Sequence, residues 1–300
     1  MGAELMAEVK LKQVPISGTT PPVKIGVTIH ATDLAMDVPE LAREAEARGF
    51  HSLYVPEHTH IPVSRRTPAP TGDAELAEEY KRSPDPLVVL AAAAVLTQRI
   101  RLGTGIGLPA QHDPLSLAKQ IATLDRLSGG RFVYGIGYGW NLEEMESHGI
   151  DPKRRRARVR EVMLAMQALW SQEVASFSGE FVRFEPSWQW PKPVQQPRPR
   201  VLLGGAPGPT LFRHIAEYGD GWLPIGGAGL AAALDQLRAA VAAAGRDPAA
   251  LHIVPMGVLP SDEKLDYYRA HGVTEAVLRI PSAPRDTVMP VLDEFAREYL

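Results

Sequence analysis

Eight short apolar or β-branched runs recur along the chain, each followed by a longer amphipathic segment, and this alternation limits the fold more than any other feature. The runs are VKIGVTI (23–29), HSLYV (51–55), RIRLGTG (99–105), RFVYGIG (131–137), RVLLGG (200–205), DGWLPIG (220–226), HIVPMG (252–257) and EAVLRI (275–280). Between them lie helical patterns such as VPELAREAEARG (38–49), with Pro39 near its start and Gly49 at its stop. Eight strand-helix units predict an α/β fold, a (β/α)8 TIM barrel; a doubly wound sheet is the alternative that the same order could build.

Two stretches interrupt the rhythm. Residues 60–85, rich in Pro, Gly and charge, read as an extended loop after the second strand with one helical turn, placed to act as a lid over 61–84. Residues 171–200 read as a hairpin, VASF-SG-EFVRF, and a Pro-rich connector inserted after the fourth helix. Residues 1–22, with SGTTPP, read as a flexible tail ahead of one domain over 23–300.

Composition narrows the function. The 300 residues are 45% hydrophobic, enough for a sizeable core. Formal charge is -3, from 32 basic and 35 acidic residues mixed along the chain, which leaves no basic stripe for nucleic acid. The longest apolar run, Leu87 to Leu96, is too short to span a bilayer, and Glu4 and Glu8 stand where a secretory signal would be apolar. A cytoplasmic protein is expected. With no cysteine, any chemistry falls to carboxylates, histidines or a borrowed cofactor.

In a barrel the loops after the strands form the mouth of the site. Glu57, His58 and His60 follow the second strand, and carboxylate with imidazole suits a metal, a catalytic pair or a polar loop. A metal needs further ligands at other strand ends, where only His30 and His112 offer an imidazole, so the spacing disfavours one. Gly103, Gly105 and Gly107 after the third run leave a side-chain-poor backbone that a flat ring could approach, or serve only tight turns. Gly135, Gly137 and Gly139 lack the spacing of a dinucleotide fingerprint; Gly137 and Gly139 let the chain pass close to a ligand beside Trp140 and Asn141, or Trp140 packs and Asn141 caps a helix. Gly204, Gly205 and Gly208 precede a helix whose first amides could meet a phosphate, although a plain turn explains them equally.

Taken in order, LAREAEARGFHSLYVPEHTHIP, RIRLGTGIGLPAQHDPLSLAKQIATLDRLSGGRFVYGIGYGWNLEEMESHGID and PRVLLGGAPGP followed by AEYGDGWLP resemble the luciferase-like monooxygenase superfamily, in its coenzyme F420-dependent oxidoreductase branch. The resemblance runs from Val23 onward and implies a TIM barrel with the deazaflavin at its C-terminal mouth. It implies that Glu57 and His58 match the acidic residue and catalytic histidine after strand two, and that Gly105–Ile106 is a non-prolyl cis peptide behind the ring, next to Gly107. It further implies that Asn141 contacts the cofactor, with Gly137, Gly139 and Trp140 beside it, and that Gly204, Gly205 and Ala206 take its phosphate. Trp140 stands where sugar-phosphate dehydrogenases of the branch carry a catalytic Glu, which points to a more apolar substrate, enclosed by His30, Trp188 and Trp190. The expected activity is hydride transfer between F420 and a small organic substrate, with His58 handling the proton. An FMN-dependent monooxygenase and a non-catalytic cofactor-binding barrel are the alternatives, and a homodimer is the expected assembly.

Overall fold

The computed structural model describes residues 22–70, 75–227 and 229–300. Its strands are β1 (Lys24–Thr28), β2 (Ser52–Val55), β3 (Arg101–Thr104), β4 (Phe132–Ile136), β5 (Ala175–Ser178), β6 (Arg183–Ser187), β7 (Arg200–Gly204), β8 (Gly221–Leu223), β9 (His252–Ile253), β10 (Met256–Val258) and β11 (Glu275–Arg279). Its α-helices are α1 (Val38–Arg48), α2 (Pro86–Leu96), α3 (Pro114–Leu127), α4 (Leu142–Ser147), α5 (Arg155–Ser171), α6 (Pro209–Tyr218), α7 (Leu230–Ala243), α8 (Asp262–Ala270) and α9 (Arg285–Tyr299).

Nine strands form one curled parallel sheet, ordered β10-β11-β1-β2-β3-β4-β7-β8-β9. Its two ends meet on one stretch of chain: β9 pairs with β8, β10 pairs with β11, and Met256 N–H donates to Pro224 C=O at 2.8 Å. The single run read at 252–257 is thus two short strands, broken at Val254–Pro255 because proline has no N–H for a ladder.

Side chains alternate across the sheet. Tyr54, Val133, Leu202, Leu223, Val254, Met256 and Val277 form an inner cluster, while Leu53, Leu102, Val201, Ile253 and Ala276 join the outer core against the helices. Helix starts are set locally: Asp85 accepts from the amides of Leu87 and Val88 ahead of α2, Asp113 from Ser116 ahead of α3, and Ser261 from Lys264 ahead of α8. Helix α1 stops at Gly49, whose φ of 92° is left-handed and favours a residue without Cβ.

The hairpin pairs β5 with β6 antiparallel, and the 60–85 segment holds one 3₁₀ turn, Glu78–Arg82. Helix α4 is the helix that one reading had Asn141 cap; its six residues are too few to repeat an apolar face. The expected tail falls almost wholly on residues 1–21, outside the described ones, as does part of the expected lid, at 71–74.

Candidate active site

Because the strands are parallel, their C-terminal ends open at one end of the sheet, where the loops after β1, β2, β3, β4 and β7 enclose a cavity of about 1290 Å³. His30, Glu57, His58, Gly105, Ile106, Gly139, Trp140, Gly204, Gly205 and Ala206 all line it. The Gly105–Ile106 peptide is cis, as the resemblance implied.

His58 is buried, and both its ring nitrogens are engaged. The Trp140 indole N–H donates to Nε2 at 3.2 Å, so Nε2 accepts and Nδ1 carries the hydrogen toward Glu144 Oε2, 2.8 Å away. Glu144 Oε1 takes the Thr59 amide at 3.0 Å. Tyr80, from the 3₁₀ turn, packs its ring 5.6 Å from His58 and 5.8 Å from Trp140, and His30 meets Tyr80 edge-on at 4.6 Å. Burial, with the nearby His58 and Arg279, lowers the His30 imidazole to about 4.

Glu57 reaches the same wall with its carboxylate committed elsewhere. Oε2 accepts the Leu108 amide at 2.5 Å and Oε1 lies 2.6 Å from His112 Nε2, so Glu57 fastens the turn after β3 instead of standing free for proton transfer. Burial would lower the His112 imidazole, but the bond and charge of Glu57 outweigh it and raise it.

Five expected contacts take other places, none of them on the cavity wall. Gly107 and Gly137 do not line the cavity: they bond to each other across β3 and β4, and a Cβ at Gly137 would collide with Ile106 Cδ1. A Cβ at Gly107 would instead press on the Tyr134 ring, so these glycines make room for protein side chains, not directly for a ligand. Trp188 and Trp190 are 76% and 57% exposed beyond the hairpin, outside the cavity wall, where Gln189 and Lys119 tie their segment to the start of α3. Asn141 is the N-cap of α4, accepting the Glu144 amide at 3.4 Å; its Nδ2 is buried without an acceptor among the described residues.

Helix α4 supplies what the sequence reading missed. Glu144 orients His58, while Glu143 accepts from Arg66 N at 3.0 Å and Thr67 Oγ1 at 2.7 Å, pinning the loop after β2. Burial opposes ionisation of Glu143, but these donors prevail and hold its carboxyl at about 2. The capping spacing Asn141 to Glu144 was the available signal, since it fixes the direction of that first turn. Tyr80, Arg155, Arg156 and Arg279 also line the cavity and had no sequence pattern to reveal them. Among the described residues no group of His, Asp and Glu is arranged to hold a metal ion, and no helix is long and apolar enough to cross a membrane.

Residues 18–276 match the model of the luciferase-like monooxygenase family. The chain belongs to that family. Among luciferase-like relatives, an uncharacterised protein of Mycobacterium tuberculosis is 45% identical over 274 residues, covering 90% of this chain and 96% of that one. An F420-dependent glucose-6-phosphate dehydrogenase of Intrasporangium calvum is 32% identical over 66% of this chain and 56% of its own length. An FMNH2-dependent dimethylsulfone monooxygenase of Pseudomonas putida is 32% identical over 56% of this chain and 45% of its own. Among solved structures, monooxygenase RslO1 of Streptomyces bottropensis superposes with a TM-score of 0.73 at 26% identity, over 93% of this chain and 98% of that one. Luciferase-like proteins of these kinds are oxidoreductases or monooxygenases that use a deazaflavin or a flavin.

Proposed function

We propose that the chain is an F420-dependent oxidoreductase that passes a hydride between the deazaflavin and a small organic substrate, with His58 giving or taking the accompanying proton. The observation that carries this reading is one cavity lined at once by the His58–Trp140–Tyr80 cluster, the Gly105–Ile106 edge and the Gly204–Gly208 loop at the head of α6. The sheet is taken as a complete (β/α)8 barrel, with excursions after its second strand and its fourth large helix.

The residues present suit a flat ring with an anionic tail. Gly105, Ile106 and Gly139 offer the ring a surface with few side chains, and Arg155, whose Nε is buried without an acceptor among the described residues, lines the same cavity. A Cβ at Gly208 would meet nothing, so this loop is open; with the first amides of α6 and the side chains of Arg155 and Arg156 it would hold the tail. The deazaflavin, when bound, supplies the two-electron chemistry.

The remaining work belongs to the protein. Glu144 fixes the Nδ1–H of His58, so Nε2 is the nitrogen that exchanges a proton, and a substrate atom that reaches it replaces the Trp140 N–H. Tyr80 and Trp140 make that part of the wall aromatic, which favours an apolar-bodied substrate over a sugar phosphate. Fluorescence titration with F420 and with FMN tests the cofactor. Binding of F420 supports the reading, and binding of FMN alone, as the dimethylsulfone monooxygenase likeness would favour, reverses it. His58→Ala should keep cofactor affinity and lose turnover; unchanged turnover would remove His58 from the chemistry.

The exposed side of α2 is proposed as the contact with a second copy. Its sequence, PLVVLAAAAVL, is apolar all round, yet Val88 and Val95 are each 66% exposed.

A further inference from the structure

At the other end of the sheet the interior is basic. Ile25, Leu102, Val201 and Ile253 face the outer core, so by alternation their predecessors Lys24, Arg101, Arg200 and His252 face inward, on β1, β3, β7 and β9. Register places Ser52 beside Arg101, Glu275 beside Lys24 and Gly221 beside His252. Arg101, Arg200, the exposed Lys24 and an imidazole therefore surround the N-terminal mouth of the barrel, against one interior acid among the described residues, Glu275.

That acid, and Asp220 ahead of β8, are already engaged. Glu275 is buried and accepts the Ser52 hydroxyl, with His51 Nε2 4.0 Å from its other oxygen. Asp220 takes Arg198 through both oxygens and the Val201 amide at 2.8 Å. Arg101 Nη1 is buried with no acceptor, and the Arg200 guanidinium forms no hydrogen bond or ion pair, among the described residues. Burial and then Arg101 lower Arg200, while burial and then Arg200 lower His252 to about 4. Burial raises the Glu275 carboxyl, so it offers these cations an incomplete counter-charge. Guanidinium groups left in this state are stabilised by a charge that enters with its own acceptors.

We propose that the N-terminal mouth of the barrel binds a small multivalent oxyanion of the phosphate class, held by the Arg101 and Arg200 guanidinium groups with Lys24 and His252 beside them. The fork of a guanidinium matches two oxygens of one phosphate, and four strands converge to present these groups around one axis. The site lies a strand length, roughly 15 Å, from the candidate active site, and does not depend on the cofactor.

Titration of the histidine-labelled full chain with inorganic phosphate, followed by NMR at constant ionic strength against sodium chloride, tests it. Expected are saturable shifts of the His252 and His51 ring signals, weakened at least ~10-fold in Arg200→Gln, the equivalent of about 1.4 kcal/mol. Shifts no larger than those from chloride, or undiminished in Arg200→Gln, overturn the proposal. Should Arg200→Gln fail to fold, the wild-type comparison of phosphate with chloride decides alone.

Discussion

Glu144 Oε2 lies 2.8 Å from His58 Nδ1, although 86 residues separate the two in the chain. Since Trp140 donates to the other ring nitrogen, this contact selects the tautomer in which Nε2 can take a proton. Glu144→Ala should therefore lower turnover about 10-fold or more, short of the 10²–10⁴-fold that loss of His58 itself typically costs. The check is kcat for both variants beside cofactor affinity by fluorescence; equal cofactor affinity with a reduced kcat and a displaced pH profile marks a positioning role.

Replacing His112 should expose a pH-dependent tie. Its imidazole is raised above its ordinary 6.5 by Glu57, so the pair stabilises fully below the unfolded value and loses its effect as pH rises through the folded one. Thermal unfolding of wild type and His112→Gln should differ most below pH 6.5 and converge above it. A gap that widens with pH contradicts the pairing.

The opposite sign applies to His30. Its imidazole is held at about 4, so the unfolded chain binds the proton first, and stability falls as pH drops from 6.5 toward 4. His30→Asn should flatten that part of the acid unfolding curve, measured by denaturant titration at each pH.

Two neighbouring glycines should separate stability from binding. A Cβ on Gly135 strikes the Thr104 carbonyl, which is backbone, whereas one on Gly137 strikes only the end of the Ile106 side chain. Gly135→Ala should cost about 1–3 kcal/mol in denaturant unfolding. Gly137→Ala should cost less and instead weaken cofactor binding, because Ile106 is pushed within the cavity wall.

On the outer surface, Val95→Glu should convert a dimer to monomers in sedimentation experiments without loss of secondary structure. A wild-type protein already monomeric at high concentration refutes the α2 contact.

The strands and large helices were legible because period two and period 3.6 are properties of local sequence, and the caps Asp85 and Asp113 mark their boundaries. The site was legible only in part. His58, His30 and the glycine edges follow strands, where position alone selects them, but the partners of His58 depend on packing between segments far apart in the chain. Trp188 and Trp190 show the limit from the other side: aromatic bulk suggests a pocket wall, and nothing local tells which face of the hairpin connector points inward. Gly137 was visible as a glycine, while its reason, space for Ile106, exists only in the fold.

Helix α4 is a short lever with two adjacent grips. Glu143 holds Thr67 in the loop that walls the cavity, and Glu144 holds His58. A tilt of this single turn that releases the loop also draws the carboxylate away from the imidazole. The cavity-wall loop at Thr67 and the orientation of the His58 ring thus rest on one short support.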